Sequence, residues 1–145
     1  MTEKYVPAEL RRRVETRASG CCEYCRSQAC YSPQSFSVEH IIPYFLGGLA
    51  VADNLAFACQ GCNGCKAIRI TFIDPSTGKM VSLFHPRQQR WKEHFAWSED
   101  FTLMAGLTPT GRATIAALQL NRPGVVNLRR VLYAMGEHPP LELDE

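Results

Sequence analysis

The sequence lacks any long apolar run. No segment approaches the roughly 18 consecutive apolar residues that a membrane-spanning helix needs, and the N-terminal residues MTEKYVPAEL contain no apolar signal segment. We therefore expect a soluble cytoplasmic protein with no membrane partner. The chain also lacks internal repeats and low-complexity linkers, so 145 residues of 46 % apolar composition predict one core of moderate size.

Net charge is also small. The formal charge of +2 and the isoelectric point near 8.2 are only mildly basic, and they do not by themselves indicate a nucleic-acid-binding protein. Arginines are nevertheless concentrated in two segments, LRRRVETR at residues 10–17 and NLRRVLY at residues 127–133. Each segment predicts either a solvated helix face or a phosphate-binding surface, and the sequence leaves both interpretations open.

Cysteine is the residue type that stands out. The seven cysteines are odd in number and follow no export signal, which argues against a secreted disulfide scaffold. Cys22 and Cys25 have the spacing that brings two thiolates to one zinc ion. A second pair is either Cys59 with Cys62 or Cys62 with Cys65. No βαβ pattern adjoins these groups, which disfavours a thiol oxidoreductase, so the sequence predicts a closed four-cysteine zinc site.

Local patterns predict an α+β fold. A helix should begin after Pro7 and end near Gly20, because apolar residues recur at four-residue spacing between them. The β-branched and aromatic segment FSVEHII predicts a strand, and DPSTGK predicts the turn of a hairpin. The segment HPRQQRWKEHFAW should include a turn of helix. Two further helices should begin at Pro109 and Pro123, the second ending at Gly136.

We accordingly expect two parts that pack on the same domain. Residues 1–75 would contain the N-terminal helix and the zinc-bearing core. Residues 76–145 would contain the hairpin and a helical C-terminal extension. Three aromatic residues of that extension, Trp91, Phe95 and Trp97, could stack on bases, but core packing is the more common role of such residues.

The segment between the cysteine groups carries polar residues among apolar ones. In VEHIIPYFLGGLAVADNLAFACQGCNGCK, residues 38–66, these are Glu39, His40, Asn54, Asn63 and Lys66. The acid–histidine pair, the following Ile-Ile-Pro, the Gly-Gly, the Asn-Leu and the C-x-x-C-N resemble the HNH endonucleases. This resemblance implies a small ββα-metal (His-Me finger) core with zinc knuckles, and it favours Cys59 with Cys62 as the second zinc-binding pair.

The resemblance also implies a role for each polar residue. His40 would be the general base that activates water, while Glu39 and Asn63 would bind a catalytic divalent ion. Asn54 would brace the loop that carries the base. Asn63 stands where many members have histidine, and Glu39 stands where many have aspartate. Oxygen donors of this kind suit Mg²⁺ or Mn²⁺.

Phosphate contacts are expected next to this site. Lys66 and Arg69 are the candidates for binding phosphate oxygens of double-stranded DNA, with Lys66 equally consistent with a solvated lysine. If FSVEHII is a regular strand, alternation sends Glu39 and His40 to opposite faces. The implied activity is hydrolysis of DNA phosphodiester bonds.

A binding protein without activity is the alternative. A non-catalytic, zinc-stabilised nucleic-acid-binding module would need the cysteines. It would not need Glu39, His40 and Asn63 together, so the presence of all three favours the nuclease.

Overall fold

The computed structural model describes residues 5–141 as a small mixed α/β fold. The helices are α1 (Ala8–Arg17), α2 (Gln60–Lys66), α3 (Trp91–His94), α4 (Pro109–Leu118) and α5 (Pro123–Ala134). The strands are β1 (Ser37–His40), β2 (Leu55–Ala58), β3 (Thr71–Ile73), β4 (Met80–Ser82), β5 (Phe95–Trp97) and β6 (Met104–Gly106). Within the described range, no helix combines the length and apolar character needed to cross a membrane.

Strands β1 and β2 pair antiparallel, and α2 follows β2 after a single residue. The register places His40 opposite Leu55 and Glu39 opposite Ala56. Cys59 is the N-cap of helix α2: its sulfur accepts a hydrogen bond from the backbone N–H of Cys62 at 3.4 Å. The predicted strand is confirmed.

The Gly-Gly pair shapes the loop between β1 and β2. Gly47 has φ +95°, a left-handed conformation that glycine adopts without strain. At Gly48 a Cβ atom would lie 1.8 Å from the carbonyl oxygen of Ile42 and 2.7 Å from Nδ2 of Asn54. The loop therefore folds back on itself so closely that no side chain fits at Gly48.

Strands β3 and β4 form the predicted hairpin, and the turn between them begins at Asp74. Both carboxylate oxygens of Asp74 accept hydrogen bonds from the Arg112 guanidinium of α4 at 2.9 Å. The predicted division between residues 75 and 76 falls inside this hairpin. The outer ends of the two predicted parts, residues 1–4 and 142–145, lie outside the described residues. One core of buried residues contains side chains from both predicted parts, among them Leu55 and Leu118.

The C-terminal part adds a hairpin that the sequence did not predict. Helix α3 is the predicted turn of helix, but it leads directly into β5, which pairs with β6. Trp91 and Phe95 are buried, with ring centroids 5.3 Å apart, so these aromatic residues belong to the core. Helices α4 and α5 confirm the two helices expected at Pro109 and Pro123.

Candidate functional site

Four cysteines meet at the junction of two chain segments. The Sγ atoms of Cys22, Cys25, Cys59 and Cys62 all lie within 4.8 Å of one another, and all four residues are buried. Four sulfurs bound tetrahedrally to zinc at about 2.3 Å lie about 3.8 Å apart, and the sulfurs of Cys25 and Cys59 are separated by 3.7 Å. The cluster can therefore hold a zinc ion. Cys65 lies outside it, so the choice of Cys59 with Cys62 is confirmed.

The thiols of this cluster shift one another's pKa values. Hydrogen bonding from Cys22 lowers the pKa of Cys25 to about 7, and burial raises the pKa of Cys22 well above its ordinary value. Thiolates packed this closely repel one another unless a cation lies among them. The donor set is thus suited to a soft, positively charged ion such as zinc.

An arginine from the C-terminal part contacts two of the four sulfurs. The guanidinium of Arg122 donates to Cys59 Sγ at 3.4 Å and to Cys62 Sγ at 3.7 Å. A Cβ atom at Gly61 would lie 2.4 Å from Nη2 of Arg122, so a side chain at this position would displace the guanidinium from its present place. A tetrathiolate zinc site has an excess negative charge, which Arg122 is placed to offset.

Glu39 points into the protein. It is 7 % exposed, and the hydroxyl of Tyr24 donates to its Oε2 at 2.5 Å. The ammonium of Lys66 lies 3.3 Å from its Oε1. Burial raises the pKa of the Glu39 carboxyl, and the nearby Lys66 charge opposes this effect. The carboxylate is therefore held in place by two buried side chains.

His40 lies on the other face of β1. It is half-buried, whereas its neighbour Glu39 is buried, as strand alternation predicts. The pair of His40 with Leu55 is of the type that exchanges no backbone hydrogen bonds, because the adjacent backbone N–H of Ile41 bonds to Asn54 O at 2.8 Å. His40 is the last residue of β1, and the loop begins directly after it.

Asn54 ties that loop together with three side-chain hydrogen bonds. Its Oδ1 accepts from the backbone N–H of Ile42 at 2.9 Å, and its Nδ2 donates to the carbonyl oxygens of Ile42 and Leu49, each at 3.0 Å. Asn54 is buried, so its amide group and the loop backbone lose their hydrogen bonds to water, and these three bonds replace them. The conformation of the chain directly after His40 depends on this one side chain.

Asn63 lies on the face of α2 that packs along β1. Three residues earlier, Nε2 of Gln60 donates to Ser37 Oγ at 3.0 Å, and three residues later, Nζ of Lys66 donates to Ile41 O at 2.9 Å. Residues three apart are neighbours on a helix surface. Asn63 therefore lies between these two contacts, on the side of the helix that faces β1.

The segment that contains these residues is similar to a known protein family. Residues 22–80 match the family model of the HNH endonucleases. The resemblance predicted from the sequence is thereby confirmed for residues 22–80, the HNH segment. No curated protein and no solved structure gave a significant match to the chain.

The two residues expected to bind phosphate, Lys66 and Arg69, lie in different environments: Lys66 is buried and Arg69 is exposed. Lys66 is only 2 % exposed, and its ammonium is engaged by Glu39 and by the carbonyl oxygen of Ile41. Neither a phosphate contact nor a solvated lysine matches this location. Arg69 is exposed; it donates to Cys65 O at 2.7 Å and lies over the ring of Phe72. The buried carboxylate of Glu39 explains the difference, because it draws the Lys66 ammonium inward.

Sequence reasoning missed two residues that act on the HNH segment. Tyr24 lies between Cys22 and Cys25, where a zinc knuckle offers no signal for a hydrogen bond to Glu39. Arg122 is 60 residues beyond Cys62, and no local pattern connects them. The only sequence signal for Arg122 is indirect: Gly61 within the C-x-x-C predicts a close approach by another group.

We expect Arg122→Gln to weaken zinc binding about 10- to 100-fold, the usual effect of losing a side chain that supports metal ligands. The cause is loss of a positive charge beside two thiolates. Zinc release to a chromogenic chelator measures the affinity. Arg130→Gln is the matched control, because Arg130 is exposed on helix α5 and donates to Oδ1 of Asn127 at 3.1 Å. Equal zinc release from both variants would contradict the prediction.

Proposed function

We propose that this protein is a metal-dependent DNA endonuclease in which His40 activates water. The observation that carries the proposal is the placement of His40 at the end of β1, next to Glu39 in sequence and directly before the loop that Asn54 braces, within a segment that matches the HNH endonucleases. The order of β1, β2 and α2 supports a ββα-metal core held by zinc.

The proposed base requires a ring nitrogen that can accept a proton from water. His40 takes that proton and thereby increases the nucleophilicity of the water oxygen toward the phosphorus atom of the scissile bond. Asn54 contributes by fixing the loop after His40, since its amide bonds both backbone groups of Ile42. A histidine held at the end of a paired strand loses little freedom when substrate binds.

Glu39 and Asn63 would hold the catalytic Mg²⁺ or Mn²⁺. A carboxylate and an amide oxygen are donors that such hard ions prefer, and Glu39 already lies beside a cation, the ammonium of Lys66. The donors fit a divalent ion if Lys66 releases Glu39, because the ion then takes the place of the Lys66 ammonium beside the carboxylate. When bound, the ion would stabilise negative charge that develops on the phosphate and the leaving oxygen.

Double-stranded DNA is the proposed substrate, and the cytoplasm is the proposed compartment. A reducing environment keeps the four cysteine thiols available for zinc. Phosphate contacts release counterions, so affinity for a duplex should fall steeply as salt rises.

Supercoiled plasmid tests the activity. The zinc-loaded protein is incubated with plasmid in the presence of Mg²⁺, of Mn²⁺ or of no added divalent ion. Nicked or linear products that require a divalent ion support the proposal. Binding to DNA without cleavage under every condition would instead identify a non-catalytic zinc-stabilised module.

A further inference from the structure

A cavity rich in arginine lies between the end of α1 and the segment Phe84–Trp91. Its volume is about 400 Å³. Four arginines and one glutamate are the charged residues that line it: Arg17, Arg26, Arg87, Arg90 and Glu23. None of these residues has a part in the proposed cleavage step.

The guanidinium groups are held in position. Arg17 donates to the carbonyl oxygens of Ala52 at 3.0 Å and Leu55 at 2.8 Å. The guanidinium of Arg26 lies 4.8 Å from the ring centroid of Trp91. Ordered arginines of this kind lose little side-chain entropy when a ligand binds.

Arg87 carries a donor that the protein leaves unused. Its Nη2 forms an ion pair with Glu23 Oε1, but its Nη1 is buried and has no hydrogen-bond partner in the described part of the chain. Glu23 is further engaged, since its Oε2 accepts from the backbone N–H of Phe57 at 2.9 Å. Both oxygens of the Glu23 carboxylate therefore already have partners, Arg87 and the backbone N–H of Phe57.

Positive charge is crowded in this cavity. Burial and the neighbouring Arg87 lower the pKa of Arg17. One carboxylate does not offset four guanidinium groups, so an anion should bind there favourably. Planar guanidinium groups match the oxygens of a phosphate group, which can accept two parallel hydrogen bonds from one arginine.

The cavity adjoins the chain that follows the proposed base. Phe84, Gln88 and Gln89 line it and also line a second cavity, whose other wall includes Ile41 and Ile42. These two residues come directly after His40. A phosphate bound among the arginines would thus be separated from that part of the HNH segment by one short stretch, residues 84–91.

We propose that this arginine-lined cavity binds a backbone phosphate of the DNA substrate. The inference rests on the proposed function and extends it, because it assigns substrate binding to α1 and to the C-terminal part beyond the HNH segment. The segment HPRQQRW would then contribute Arg87 and Arg90 to binding the DNA that His40 acts on.

Fluorescence anisotropy with a labelled DNA duplex tests the proposal. Measurements use the His40→Ala protein, so that cleavage does not disturb binding, over a series of salt concentrations. Arg90→Gln should weaken binding about tenfold and reduce the slope of log K against log salt by about 0.9, the value for one lost phosphate contact. Arg90→Lys should keep most of the slope, because it retains the charge.

Arg130→Gln is the control, since Arg130 is an exposed arginine on α5 outside the cavity. Equal affinity and equal slope for Arg90→Gln and Arg130→Gln would overturn the cavity proposal. Arg90→Gln and Arg130→Gln are then also made in the protein that retains His40. If both nick plasmid as the wild type does, the proposed function stands without the cavity proposal. Failure of every protein to bind duplex would overturn the cavity proposal, and plasmid nicking by wild type would still decide the function separately.

Discussion

Removal of zinc should unfold this protein, with loss of both secondary structure and the cooperative thermal transition. Zinc binding to cysteine sites contributes about 10 to 16 kcal/mol, whereas the whole free energy of unfolding of a domain is about 5 to 15 kcal/mol. The four ligands also link two distant segments, because Cys22 and Cys25 follow α1 while Cys59 and Cys62 begin α2. Without the ion, four buried thiols must pack where a tetrahedral site was.

Paired cysteine variants make this result specific. Cys59→Ser should lose bound zinc and unfold, while Cys65→Ser should retain about one zinc ion per chain and melt like the wild type. Metal content by mass spectrometry and melting followed by circular dichroism measure the two quantities. Chelator should reproduce the effect on the wild type, and added zinc should reverse it. Loss of zinc from Cys65→Ser alone would show that Cys62 and Cys65 form the second pair.

Several elements could be predicted from the sequence because their signals are local. The C-x-x-C spacing alone brings two sulfurs together, and the cap Thr108 followed by Pro109 marks the start of α4. In the structure the Thr108 hydroxyl accepts from the backbone N–H of Gly111 at 3.0 Å, as an N-cap should. The strand at FSVEHII and the turn at DPSTGK are equally local features.

Other features depend on contacts between distant residues. Strand β6 has the sequence Met-Ala-Gly, which carries no strand signal of its own, and it forms only because β5 lies beside it. The sequence predicts Lys66 as a phosphate contact or a solvated lysine, but the buried Glu39 of another element lies beside its ammonium. Sequence spacing gives the candidates for the site, whereas their partners are set by the tertiary fold.

The candidate site shows the same division. The sequence places Glu39 and His40 side by side, and strand alternation already predicts that they face opposite ways. It does not predict that Tyr24 donates to Glu39, because that contact arises only when the first knuckle packs against β1. Asn54 is intermediate: the motif singles it out, and its three hydrogen bonds to the loop become visible in the structure.

His40→Ala should lower the rate of plasmid nicking by about 100- to 10,000-fold, the usual contribution of a general base. Affinity for duplex DNA should remain that of the wild type, because the substitution removes a proton acceptor and leaves the arginine-lined cavity intact. Nicking is measured with Mg²⁺ and with Mn²⁺, and duplex binding is measured by anisotropy. The zinc content of the variant should also be unchanged, since His40 is not among the four sulfur ligands.

His94→Ala is the matched control for this substitution. His94 is half-buried at the end of α3, where its Nδ1 lies 2.6 Å from the Thr108 hydroxyl, and it belongs to neither the HNH segment nor the cavity. Its removal should leave the nicking rate at the wild-type value. If His40→Ala nicks plasmid as fast as His94→Ala, His40 is not the base. If neither variant nor the wild type nicks DNA while all three bind it, the protein is a binding module whose HNH segment serves only as a zinc-held scaffold.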